Sequence, residues 1–271
     1  MSMFVKLAGD IPTLQKCFFR NIIAIGFAFA VLKKQKIAFR FDRTGLRLLL
    51  LRSFCGTLGM IGYFYAIDHL MLADASMLHK LTPFFAIIFS SLFLKERAKP
   101  FQWAVVSIAF LGSLLIIKPT FALTHVAASL SGIFGAINAG AAYTCVRRLG
   151  SHGVKPPVIV LFFSAFSCIV TLPYVLFSYT PMSVQQLALL LLAGAAAAGG
   201  QFSVTAAYFN SPAKEISVFD YSQVIFAAVF GFFAFGQLPD GLSIAGYVII
   251  ISSAVAMFIY NNRNADTKDS G

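Results

Sequence analysis

The chain is a succession of apolar runs about twenty residues long, and nothing else in it constrains the fold as strongly. A hydrocarbon core of about 30 Å needs about twenty helical residues to cross it. Inside lipid every backbone N–H and C=O must find its partner within the protein, so only helices and closed barrels span. These runs are continuous instead of alternating, which points to helices. Of 271 residues, 59% are hydrophobic and 11% charged, against about 25% charged in a soluble domain. The reading is an all-α integral membrane protein with nine full spans, at 12–32, 48–67, 74–94, 99–117, 126–146, 157–177, 184–207, 213–235 and 241–260. The opening MSMFVKLAGD supplies only about 12 Å of helix before Gly9-Asp10. We expect it to be the end of a span whose beginning lies upstream of Met1; the alternative is a chain of nine spans and a half-helix. The four cysteines, Cys17, Cys55, Cys145 and Cys168, form no CxxC pair and sit in or beside apolar runs. Free thiols are expected, with no metal site.

A net charge of +11 would suggest nucleic acid in a soluble protein. Here the cations lie in short loops between apolar runs, so nucleic acid is not an expected partner. Lys33, Lys34, Lys36, Arg40, Arg43 and Arg47 share one loop, Lys95, Arg97 and Lys99 a second, and Arg147, Arg148 and Lys155 a third; Arg263 and Lys268 are in the tail. If every run spans, these segments face one side. The opposite ends carry Asp10, Asp68, His69, Asp74 and Asp240, with Lys118 as the exception. The positive-inside rule makes the basic side cytoplasmic. Cysteines introduced at Arg40, Lys99 and Ser151 should therefore resist an impermeant thiol reagent added from outside. Strong labelling of any one would overturn the nine-span topology.

A weak internal repeat accompanies this topology. When Asp74 is laid on Glu215, Ser76 falls on Ser217, Phe85 on Phe226, Ala86 on Ala227 and Phe89 on Phe230. The helix that begins at 74 runs inward and the one that begins near 215 runs outward. The two halves are therefore expected to be antiparallel, an inverted-topology repeat.

The stretch GYFYAIDHLMLADASMLHKLTPFFAIIFSSLFLKERAKPFQWAVVSIAFLGSLLIIKP resembles the drug/metabolite transporter superfamily with its EamA-type domains. A span ends in Ala66-Ile67 and a short acidic loop follows. Next come a Pro-containing helix ending in Lys95-Glu96-Arg97, then a helix with Gly112 and a closing Lys118-Pro119. The second half repeats this more loosely, with Ala206-Ala207-Tyr208, then SQVIFAAVFGFFAFGQLPD, where Gln237 stands in the place of Glu96. The resemblance covers essentially the whole chain. It implies a ten-helix inverted repeat of five plus five, the first helix truncated, with repeats over 1–119 and 124–261 and a polar tail over 262–271. It also implies transport of a small polar metabolite, such as an amino acid, in the direction of export, by alternating access in a bacterial cytoplasmic (inner) membrane. Expected partners are that solute, membrane lipids and protons as the candidate coupling ion; a homodimer is left open.

Candidate site residues come from the polar groups inside spans. Lys80 lies about 9 Å deep, where a cation costs roughly 2.5–3.5 kcal/mol and normally faces a partner or a watery cavity. Ser76, Lys80, Pro83 and Ile87 share one helical stripe, and Pro83 removes a backbone bond near His79, which suits a flexing helix. A Lys80 that snorkels outward toward Asp74 or Asp68 is the competing reading. In the repeat, Asp220 aligns with His79 and Tyr221 with Lys80. Asp220 lies about 9 Å from the opposite side, so the pair suits access from alternate sides. Lys16 and Arg20 share a face of their helix; Lys16 can snorkel outward, while Arg20 is an anion-binding candidate because its fork matches carboxylates and phosphates, with pairing to Asp10 or a loop as the plainer explanation. Asn138, Tyr63, Gln201 and Gln223 complete the candidate binding set, each with helix–helix hydrogen bonding as the plainer explanation. The run AGAAAAGGQ (193–201) is explained by close helix packing. No Walker A loop, HExxH, GxSxG or dinucleotide fingerprint occurs. No catalytic residue and no cofactor are expected. A lipid or lipid-carrier flippase, which needs a groove open sideways to the bilayer, is the alternative. A non-transporting scaffold is a second, and it predicts locally paired charges and no cavity.

Overall fold

The computed structural model describes residues 1–37, 42–93, 99–117, 123–210 and 222–269. Lys95-Glu96-Arg97, Lys118-Pro119, Glu215, Ser217, Asp220 and Tyr221 lie outside the described residues. Among the described residues the regular structure is helical: α1 (Ser2–Leu7), α2 (Thr13–Gln35), α3 (Arg43–His69), α4 (Leu72–His79), α5 (Thr82–Phe93), α6 (Pro100–Ile117), α7 (Leu123–Ser151), α8 (Pro156–Phe177), α9 (Val184–Asn210), α10 (Ser222–Phe235) and α11 (Gly241–Asp269). Seven segments, α4–α5 counted as one, are long and apolar enough to cross a bilayer; shorter apolar stretches occupy 103–112 of α6 and 226–235 of α10. Large apolar side chains cover the outer surface, for example Phe29, Ile169 and Leu176 at 61%, 69% and 68% exposed. A surface of that kind is suited to lipid, not to water. The protein is an all-α, multi-span membrane protein.

Lipid tails are as apolar as Leu, so helices in a membrane associate through close packing and interhelical hydrogen bonds. The crossing of α3 with α7 follows this rule. A Cβ added to Gly62 would stand 2.7 Å from the Ser131 carbonyl oxygen, and one added to Gly135 would stand 3.0 Å from the Gly59 carbonyl oxygen. Backbone thus lies on backbone, and Ser131 Oγ donates to the Gly62 carbonyl at 3.2 Å. The other principal neighbours are α2 with α8 and α9, α3 with α8, α5 with α7, α4 with α10, α1 with α9, and α6 with α11.

The expected span 74–94 is broken into α4 and α5 at Lys80-Leu81. Pro83 has no N–H, so the carbonyl of His79 loses its helical partner. Thr82 Oγ1 takes over and donates to that carbonyl at 2.6 Å. The break is therefore satisfied locally, and it aims Lys80 into the protein.

Two expectations from the sequence are corrected. Lys16 does not snorkel to the membrane edge. It is 1% exposed and its Nζ lies 2.5 Å from Asp68 Oδ1, because the last turn of α3 lies against the first turn of α2. The run 193–201 is only partly a packing surface. Gly194 packs on α2, where an added Cβ would meet the Arg20 carbonyl oxygen at 3.0 Å, but Gly199 and Gly200 have nothing within 4 Å. Gly200 borders open space instead.

Candidate functional site

The open space beside Gly200 is a cavity of about 460 Å³ lined by residues of α1, α2, α3, α4, α7, α8, α9 and α10. That volume falls in the range of small-molecule sites, about 300–1,000 Å³. Its walls are largely apolar, with Met60, Phe64, Phe163, Phe226 and Phe230 among them. Polar groups converge on it from two directions.

The first is a hydrogen-bonded chain. Lys80, 5% exposed, donates from Nζ to Gln223 Oε1 at 2.7 Å. Gln223 Nε2 donates to the Tyr63 hydroxyl at 3.3 Å. That hydroxyl also lies 3.3 Å from Ser76 Oγ and 3.1 Å from Ser2 Oγ, and the Tyr63 ring stands against His79 with centroids 4.2 Å apart. The break at Lys80 is what brings this cation to Gln223 of α10. Each member satisfies another, so the network holds its geometry without a ligand.

The second is a pair of guanidinium groups. Arg20 of α2 and Arg52 of α3 are 5% and 2% exposed and both line the cavity. Arg20 Nη1 donates to Asn21 Oδ1 at 2.5 Å, and Asn21 is anchored in turn to Ser167 Oγ of α8 at 2.9 Å. Both guanidinium carbons face the ring of Phe163, at 5.8 Å and 4.0 Å from its centroid. Among the described residues, no acceptor meets Arg20 Nε or Arg52 Nε and Nη1.

Of the sequence candidates, Arg20, Tyr63, His79, Gln201 and Gln223 line this cavity, and Lys80 joins it through Gln223. Gln201 Nε2 donates to Thr205 Oγ1 on its own helix at 3.2 Å. Asn138 is not among the lining residues; its amide donates to the Phe134 carbonyl one turn back at 2.9 Å. Asp220 and Tyr221 lie outside the described residues. Arg52 was not singled out from the sequence. Within the run 48–67 it sits four residues from the boundary, but α3 begins at Arg43, which places Arg52 about 14 Å along the helix. The available signal was a lone cation inside an apolar run followed by Gly56 and Gly59. No group of three or more metal-ligating side chains occurs among the described residues.

Comparison with known proteins agrees with this architecture. Residues 1–118 match the EamA-like transporter family. The chain is 32% identical over 261 residues to the pseudopaline exporter CntI of Pseudomonas aeruginosa, a match covering 95% of this chain and 90% of that protein. It is 25% identical over 263 residues to an uncharacterized transporter of Helicobacter pylori, covering 94% and 88%. A solved crystal structure shares the fold, with a TM-score of 0.68 at 17% identity over 95% of this chain and 94% of that one. The chain therefore belongs to the EamA-like transporters of the drug/metabolite transporter superfamily and is a multi-span membrane transporter of small molecules.

Proposed function

We propose that the protein is a secondary transporter that exports a small polar metabolite by alternating access, with the cavity between α3, α4, α8, α9 and α10 as its solute site. The observation that carries this reading is the cavity itself: about 460 Å³, mostly apolar, with two groups of buried polar side chains among its lining. The export direction is supported by the 32% identity to an exporter, and its bacterial host supports the cytoplasmic membrane as the location. Alternating access is supported by how the helices pair. Exchanging the first five expected spans with the last five turns α3–α7 packing into α9–α1 packing, and α2–α9 into α8–α3, and all four occur. A molecule assembled this way can rock one half against the other about a fixed site.

Lys80 and Gln223 serve the solute in this mechanism, Tyr63 and His79 form the wall they stand on, and Pro83 supplies the flexible break. Asp220 and Tyr221 enter as the repeat partners of His79 and Lys80, with Asp220 as the group to carry a coupled proton. Lys80→Met and Gln223→Leu should each lower export at least about tenfold, as loss of a hydrogen bond to a charged group implies. Thermal stability in detergent should stay near that of the parent. The cargo is identified by comparing metabolites in cells with and without the protein, then measuring its flux in proteoliposomes normalised to folded protein. Loss of stability in proportion to flux would assign these residues to the scaffold and remove them from the site.

A further inference from the structure

Among the described residues, no acidic group answers the charge of the two arginines. A guanidinium stays protonated in proteins, and holding one away from water without a counter-charge is strongly unfavourable. Arg20 and Arg52 are more than nine-tenths buried. Among the described residues neither forms a salt bridge; the only acid-to-cation pairs are Lys16–Asp68 and His152–Asp42. Among the described residues no Asp or Glu lines the cavity. The Arg20 contact to Asn21 is to a neutral amide. Phe163 faces both cations, but a cation–π contact returns much less than desolvation costs. Two cations also repel each other, and here they converge on one ring. An arrangement like this is tolerable when the occupant of the cavity brings the missing negative charge.

The local sequence keeps the guanidinium groups in place. A Cβ on Gly56, one turn beyond Arg52, would stand 2.6 Å from Arg52 Nη1 and 3.0 Å from the Phe163 ring. Glycine at 56 thus leaves the space in which the Arg52 side chain lies against Phe163. On the far side the Arg20 fork is fixed through Asn21 and Ser167. Side chains held this way lose little freedom when they take an anion, and forks match the paired oxygens of carboxylates and phosphates.

We propose that the cargo of this cavity is a small dianion whose two acid groups, carboxylate or phosphate, are taken by Arg20 and Arg52. The remainder of the solute then lies along the apolar wall toward Tyr63 and Gln223. This rests on the reading of the cavity as the solute site and adds the chemical class of the solute.

The test compares the exported solute from cells carrying the parent, Arg20→Met, Arg52→Met and Arg52→Lys. Its acid groups are counted by electrophoretic mobility and mass, and phosphorus content separates phosphate from carboxylate. Expected is a solute with at least two ionised acid groups, with export lowered about 10- to 100-fold by either Met substitution. Arg52→Lys keeps the charge but loses the fork, and should fall between the two. Because the Met side chains replace uncompensated cations, thermal stability in detergent should hold or rise. If no solute differs between cells with and without the protein, the transport reading fails and this proposal fails with it. A solute with fewer than two acid groups, or Met variants that export it at the parent rate, overturns this proposal alone. Met variants that lose stability and flux together assign the arginines to the scaffold and overturn it as well.

Discussion

Asp68→Ala should lower the stability of the folded protein by about 3–5 kcal/mol, the usual loss when one member of a buried ion pair is removed. Lys16 is 1% and Asp68 17% exposed, with 2.5 Å between Nζ and Oδ1, and Thr13 Oγ1 donates to Asp68 Oδ2 at 3.3 Å. Without the carboxylate, Lys16 is left charged between α2 and α3. The partial exposure of Asp68 admits some solvent and places the expected loss toward the lower end of that range. Lys16→Met combined with Asp68→Leu should recover most of the loss, because a matched apolar pair avoids both desolvation penalties. Thermal unfolding in detergent of the parent, Lys16→Met, Asp68→Leu and the double variant gives the coupling directly. A double variant as unstable as Asp68→Ala would show that the charges do not act as a pair.

The largest packing effect is expected at Gly62. Valine there would place its Cβ 2.7 Å from the Ser131 carbonyl oxygen and 3.2 Å from the Gly135 nitrogen. Both are backbone atoms and cannot turn aside, so α3 and α7 must separate. Overpacking typically costs about 1–3 kcal/mol, and contact with backbone atoms of two α7 residues puts this site at the upper end or beyond. Tyr63, the next residue, would shift with the helix and leave Gln223, to which it is joined at 3.3 Å. Transport should fall with stability. Gly26→Ala serves as the comparison, since nothing lies within 4 Å of its added Cβ. Alanine there should leave stability unchanged or slightly raised, given its better helix propensity. Equal behaviour of the two variants in thermal unfolding would mean that the close crossing does not limit stability.

The spans themselves were legible because the requirement that sets them is local. Each apolar run must satisfy its own backbone in lipid, and nine runs correspond in order to α2, α3, α4–α5, α6, α7, α8, α9, α10 and α11. The break near Pro83 was legible for the same reason. Helix ends were less so. α3 and α7 run into the basic residues Arg43, Arg47, Arg147 and Arg148, since hydropathy falls where charge begins while the backbone hydrogen bonds continue. The polar residues inside spans could also be listed from the sequence. Which of them meet could not. A membrane helix is apolar toward lipid and apolar toward its neighbours, so its pattern does not reveal how it is rotated. Rotation and crossing decided that Asn138 bonds its own helix, that Lys16 meets Asp68, and that Lys80 reaches Gln223 of α10. They also brought Arg52 beside Arg20 over one phenylalanine ring, two cations on separate helices that are joined only when α2, α3 and α8 pack.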